Sequence, residues 1–171
     1  MAVIEAISTT YLEADAATVT FSSIPATYEH LQLRMSVRDG STGTYGEIGL
    51  QFNTVTTTTY SYHRMTGNNS TAAGAAYTGV NNIALNYVVA EGDIATSYTS
   101  IVVDILDYAN GSKNTTTSTM LGTATGTTNW AMAHSGLWDS TAAVNEIKVI
   151  YRWGPDIKRG SEFTLYGLNS S

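Results

Sequence analysis

The chain has 171 residues, no cysteine and a net charge of −6, and only 13% of its residues are charged. The lack of cysteine excludes disulfides, thiolate nucleophiles and cysteine-ligated zinc, while the acidic balance without a basic patch argues against nucleic-acid and anionic-membrane partners. Thr, Ser, Asn, Gly and Tyr take the place of the charged residues. These residues suit strands and turns, and their surface costs less to desolvate than an ionic one, which favours an all-β chain that packs against other protein.

The first predicted strands lie before residue 40. Met1–Ile7 is mildly apolar and fits a short strand, a helical turn or an arm that reaches a neighbouring subunit. Thr18–Phe21 alternates and predicts a short strand. The clearest pattern follows, because apolar and polar side chains then alternate without interruption, as on a strand with one dry and one wet face. The dry face is Leu31, Leu33, Met35 and Val37, and the wet face is Gln32, Arg34, Ser36 and Arg38.

The middle of the chain continues as short strands. Ile48–Phe52 alternates, and in Tyr60–Met65 the two tyrosines share one face. Gly67–Gly79 is small, polar and aperiodic, which predicts a long surface loop suited to partner contact. Ile83–Val89 is a further strand. Thr99–Tyr108 is apolar on both faces, which predicts a central strand covered on two sides.

The last third begins with a turn at Asn110-Gly111. Ser140–Val144 fits a single helical turn. Four segments are predicted to be strands, namely Thr115–Leu121, the AMAHSGLW part of Gly122–Trp138, Glu146–Trp153 and Phe163–Gly167. A tight bend is expected after the strand in AMAHSGLW.

This spacing predicts about eight to ten short strands in an antiparallel two-sheet sandwich. Connections of mixed length favour a jelly roll over an immunoglobulin-like topology. Residues 16–171 are expected to form a single β-sandwich domain, preceded by an N-terminal strand or arm at residues 1–15.

Candidate catalytic groups do not form a known pattern. His30, His63 and His134 are not at metal-ligand spacing, and Asp104 and Asp107 point to opposite faces of one strand. Asp104 is expected to pair with Arg34 or Arg38 or to face solvent, and Asp107 to start the turn. Ser135, His134 and Asp139 lack the G-x-S-x-G elbow of a hydrolase. The sequence therefore predicts no enzyme and no cofactor or metal site.

Aromatic residues are the remaining candidates for binding. Trp138 and Trp153 are expected in the core or at an interface, whereas Trp130 lies in a Thr/Asn-rich region and suits an exposed contact, such as stacking on a sugar. The predicted partner-contact residues are Met1, Val3, Ile4, Ile7, Tyr11, Asn68, Asn69, Tyr77 and Trp130.

Several segments together resemble a family of small β-rich virion proteins of tailed bacteriophages. The resemblance is carried, in order, by Phe21–Arg38, Gln51–Asn53, Tyr60–Ser70, Ile101–Thr117, Ser135–Val149 and Phe163–Leu168. It implies a jelly-roll-like fold and a place on the particle surface, in the capsid or the tail. It supplies no catalytic residues.

The resulting expectation is a capsid decoration or cement protein, trimeric, that binds the major capsid protein across capsomers and stabilises the head. The alternative is a tail-fibre receptor-binding domain that contacts tail proteins and a host glycan. The first residues lack the pattern of a signal peptide, so synthesis in the host bacterial cytoplasm and incorporation at the virion surface are expected.

Overall fold

The structure is a computed structural model that describes residues 4–152 and 156–170. These residues form twelve strands and no helix, so the predicted count of eight to ten is too low. The strands are β1 (Ile4–Tyr11), β2 (Thr18–Phe21), β3 (His30–Val37), β4 (Tyr45–Phe52), β5 (Tyr60–Gly67), β6 (Ala72–Val80), β7 (Ile83–Val89), β8 (Thr99–Leu106), β9 (Thr115–Ala124), β10 (Asn129–Trp138), β11 (Ile147–Tyr151) and β12 (Glu162–Leu168).

The strands make two antiparallel sheets. The larger has eight strands in the order β1-β12-β3-β8-β9-β10-β5-β6, and the smaller has four in the order β2-β11-β4-β7. Buried side chains from both sheets belong to one hydrophobic cluster. The predicted all-β, two-sheet sandwich is therefore confirmed.

Strand β3 contributes its predicted dry face to that cluster. Leu31, Leu33 and Val37 are completely buried, and Met35 is nearly so. In the four-stranded sheet, β4 and β11 contribute buried residues at alternate positions, namely Ile48, Leu50, Phe52, Ile147 and Val149. Period-two alternation thus places one apolar stripe from each of these three strands between the two layers.

Arg38 was predicted on the wet face, and that prediction is wrong. Strand β3 ends at Val37, so alternation no longer fixes the next side chain, and Arg38 is only 7% exposed. Its guanidinium donates hydrogen bonds to the carbonyl oxygens of Ala90, Glu91 and Asp93 at 3.1–3.4 Å, and to that of Ala95. A buried cation is retained here because backbone carbonyls replace its hydration.

Three further predictions are corrected. Most of Gly67–Gly79 is not a loop, because Ala72–Val80 is β6, the strand at one edge of the larger sheet. Strand β8 is central but covered on one side only, since Leu106 is exposed and Val102 half-buried. Ser140–Val144 contains no helical turn. In each case the prediction followed local composition, whereas the outcome depends on tertiary structure, either through strand pairing or through how far the second sheet extends.

Candidate functional site

The predicted contact residues fall in three places. Ile4, Ile7 and Tyr11 lie on β1, an edge strand with no buried residue. Met1 and Val3, like Trp153, lie outside the described residues. Asn68 and Asn69 follow β5 in a turn, while Tyr77 on β6 and Trp130 on β10 lie beside a cavity between the sheets.

The two asparagines stabilise turns. The Asn68 side-chain oxygen accepts hydrogen bonds from the backbone N–H groups of Ser70 and Thr71. The Asn69 side-chain oxygen accepts from the Asn129 N–H at 3.0 Å, which ties the β5–β6 turn to the start of β10. These bonds give both asparagine side chains partners within the chain.

A cavity lined by aromatic and polar side chains lies between the two sheets. It has a volume of about 330 Å³ and opens where β5 and β6 of the larger sheet face β4 and β7 of the smaller one. Four tyrosines, two arginines, one glutamate, one asparagine and one valine line it, namely Tyr45, Tyr62, Tyr77, Tyr87, Arg64, Arg152, Glu47, Asn86 and Val80.

A β-bulge places one aromatic wall. In the β4–β7 ladder Gly46 pairs with Val88 and Glu47 with Asn86, which leaves Tyr87 as the extra residue. Tyr87 has φ of 59°, a left-handed conformation that is costly for a bulky side chain. Its ring stacks on Trp130, with centroids 4.1 Å apart and planes 12° apart, and it contacts Tyr45 at 4.8 Å. This stack offsets part of the backbone cost.

Arg64 lies between two of the aromatic rings. Its guanidinium carbon is 5.6 Å from the centroid of Tyr77 and 5.3 Å from that of Tyr87, both within the range of cation–π attraction. No carboxylate or carbonyl accepts a hydrogen bond from Arg64 among the described residues. The guanidinium is therefore held by contact with two rings, and its N–H groups have no carboxylate or carbonyl acceptor among the described residues.

The floor of the cavity is polar and ordered. Glu47 forms an ion pair with Arg152 and accepts a hydrogen bond from the Asn86 amide. Asn86 is only 2% exposed, and its side-chain oxygen has no partner in the part of the chain that the structure describes. Burial raises the pKa of the Tyr62 hydroxyl further above its usual range, and as a neutral hydroxyl Tyr62 can donate a hydrogen bond in the cavity.

The outer face of the larger sheet is a second surface of interest. Among all residues of β5, β6, β9 and β10, Arg64 alone is a Lys, Arg, Asp or Glu. Cross-strand pairing places Gly74, Met65, Ala133 and Met120 in one row across these four strands. Met65 is 70% exposed and Met120 is 62% exposed, beside a shallow depression of about 550 Å³. We call this row and its neighbours the methionine face.

The other predicted chemistry stays dispersed. His134 faces the core and donates a hydrogen bond from Nδ1 to the Ala84 carbonyl, whereas the adjacent Ser135 faces outward, so the two cannot act together. Asp104 accepts from Gln32 at 2.7 Å rather than from Arg34 or Arg38, and Arg34 donates to that same glutamine. Asp107 does start the predicted turn, since its carbonyl accepts the Asn110 N–H.

Over residues 4–152 and 156–170, no three potential metal-ligating side chains of His, Asp or Glu cluster together, and no helix could cross a membrane. Comparisons of the chain with protein-family models, curated proteins and solved structures find no match.

Of the predicted contact residues, Tyr77 lines the cavity and Trp130 stacks on its Tyr87, and the other lining residues were not predicted from the sequence. Arg64, Glu47, Asn86 and Arg152 come from four different strands or strand ends, and no local spacing links them. The one local signal is weak: Asn86 and Tyr87 interrupt an otherwise apolar strand, where a bulge can turn a side chain outward.

Proposed function

We propose that this chain is a structural protein of a tailed-phage virion, acting as a trimeric decoration or cement protein bound to the major capsid protein. The observation that carries the proposal is the methionine face. A face four strands wide, with exposed Met65 and Met120 and one arginine in its strands, is unusual for a surface meant to stay in water. Burial of such a face on a capsid lattice costs little desolvation and favours the assembled shell.

The strand path supports a jelly roll. From β2 to β11 the chain enters the smaller sheet at β2, β4, β7 and β11, and the larger sheet at β3, β5, β6 and β8–β10. A jelly roll alternates between its two sheets in this way when the three consecutive strands β8, β9 and β10 are counted together as one of its eight strands. Strands β1 and β12 then extend the larger sheet beyond the core fold.

The two bare edges of the larger sheet support self-association. Strand β6 carries no charged residue or proline, and β1 carries only Glu5, although natural edge strands usually carry such protective residues. Eight strictly alternating strands make β1 and β6 run in opposite directions. A second copy placed edge to edge would therefore form an antiparallel ladder, and three copies would close a ring if the rotation allows it.

The second candidate is a receptor-binding domain of the tail that recognises a host glycan. The aromatic cavity favours it, because tyrosine rings beside ordered polar groups suit the apolar faces and hydroxyls of a sugar. The copy number of the chain in purified particles distinguishes the two functions. Copies in proportion to the capsid protein support a decoration protein, and copies in proportion to tail proteins support a receptor-binding domain.

The decisive experiment for decoration changes the methionine face. The double variant Met65→Glu/Met120→Glu should fold, because both side chains are exposed, and should fail to bind empty heads in a co-sedimentation assay. The matched control is Thr20→Glu on β2, an exposed position in the other sheet, which should bind as the unmodified chain does. Equal binding by the double variant and the control would contradict the proposal.

A further inference from the structure

The cavity has features that a docking surface on a lattice does not need. Its polar floor and aromatic walls are described above, and Tyr45 at its mouth is 46% exposed. We propose that this cavity binds a saccharide that carries a carboxylate, such as a uronic acid, and that Arg64 binds the carboxylate. This inference deepens the glycan-binding candidate and rests on it. Head binding through the methionine face is a separate property.

Arg64 is the group in the cavity that suits a carboxylate. A guanidinium has five N–H donors in a planar fork that matches the two oxygens of a carboxylate. Contact with Tyr77 and Tyr87 restricts the guanidinium before any ligand arrives, which lowers the entropy cost of binding. The other guanidinium in the cavity belongs to Arg152, which already forms an ion pair with Glu47. Arg64 is therefore the cation that can bind a ligand.

The charge of the site limits the anion. Two guanidiniums and one carboxylate, from Arg64, Arg152 and Glu47, leave one net positive charge in the cavity. A single carboxylate neutralises it. A phosphate carries a charge of about −1.5 to −2 at neutral pH, so it would give the cavity a net negative charge close to the Glu47 carboxylate. The site therefore suits a monoanion.

The remaining groups indicate a sugar around that carboxylate. The side-chain oxygen of Asn86, nearly fully buried and without a partner among the described residues, is an acceptor that a hydroxyl can satisfy. The exposed ring of Tyr45 offers a flat face for the C–H groups of a pyranose. A volume of about 330 Å³ is at the small end of ligand pockets and fits a single ring better than an extended peptide.

The test is a titration, followed by tyrosine and tryptophan fluorescence, with oligosaccharides of glucuronic and galacturonic acid. The neutral glucose and galactose oligomers and a glutamate-containing peptide are the comparison ligands. We expect the acidic oligosaccharides to bind and both comparison ligands to bind at least about tenfold more weakly. Arg64→Gln should lower the affinity for the acidic sugars by about tenfold or more and largely remove the preference over neutral ones.

Arg34→Gln is the matched control, because Arg34 also stacks on a tyrosine, Tyr166 at 5.0 Å, but lies outside the cavity. It should bind the acidic sugars unchanged. If Arg64→Gln proves misfolded by circular dichroism, Tyr45→Ala at the exposed mouth provides the second variant and should also weaken acidic-sugar binding.

The outcomes separate the inference from the function it rests on. Binding of neutral and acidic sugars with equal affinity, or loss of binding in Arg34→Gln as large as in Arg64→Gln, overturns the carboxylate assignment and leaves glycan binding standing. Peptide binding as tight as that of the acidic sugars overturns the saccharide. Absence of binding to every saccharide overturns both the inference and the glycan-binding candidate.

Discussion

At the scale of single residues, the buried polar groups distinguish this sandwich from a purely apolar one. His134 is 4% exposed, on an inward position of β10. Its Nδ1–H is bonded to the Ala84 carbonyl, while its Nε2 and the hydroxyl of Thr119, its neighbour on β9, have no partner among the described residues. Desolvation, aided by the charge of Arg64, lowers the pKa of His134 to about 4.

This shift predicts acid sensitivity. Since the folded-state pKa of His134 lies below the usual 6.5, the unfolded chain takes up this proton first as the pH falls. The stability associated with neutral His134 is fully present above pH 6.5 and is lost as the pH falls toward 4, a loss of up to about 3 kcal/mol. Urea unfolding from pH 7 to 4 should show a smaller decline in the free energy of unfolding for His134→Gln than for the unmodified chain.

The control for that measurement is His63→Gln, which changes an exposed imidazole on the adjacent strand β5. It should decline with pH as the unmodified chain does. Parallel pH curves for His134→Gln and the unmodified chain would show that the buried imidazole does not set the acid limit.

At the scale of elements, pairing decided what composition left open. The alternation in β3 and β11 predicted strands because each has one buried stripe. Strand β6 has none: its small residues carry no period, and its backbone hydrogen bonds to β5 alone make it a strand. The same holds for β1, which fitted three structures in the sequence and is a strand because β12 supplies a ladder.

This difference predicts unequal contributions to stability. Deletion of residues 1–10 removes most of β1, a strand with no buried side chain, and it keeps Leu12 in the core. It should lower the free energy of unfolding by less than Leu33→Ala, which opens a cavity in the core and costs about 3 kcal/mol. Chemical denaturation of both variants measures the comparison. If the chain without residues 1–10 is unfolded, β1 is required for the fold.

At the scale of the whole molecule, the charge distribution separates the surfaces. The charged groups of the outer face lie on β3, β8 and β12, at Arg34, Asp104 and Glu162, while the opposite half presents the methionine face and ends at the bare edge of β6. Edge and face are continuous. A neighbouring copy that pairs with β6 would therefore extend the methionine face across the subunit boundary.

This arrangement predicts that a charge on β6 disrupts self-association. Ala76→Lys places a cation on the exposed edge strand, where lysine opposes pairing with another chain. Light scattering after size exclusion should report a trimer for the unmodified chain and a smaller species for Ala76→Lys. Thr20→Lys on β2, the edge strand of the other sheet, is the control and should remain trimeric. A trimer that survives Ala76→Lys would rule out the β6 edge as the interface.

The sequence by itself determined the fold class and the strands with one apolar face, because period-two alternation is local and leaves little choice of which side is buried. The sequence also singled out Tyr77 and Trp130 as contact residues, which remains a prediction. Only the tertiary structure decided the strand order, the burial of Arg38 beyond the end of β3, and the meeting of Arg64, Glu47, Asn86 and Arg152 in one cavity. These depend on pairing between residues far apart in the chain and on a bulge that turns Tyr87 toward Trp130, which no local pattern specifies.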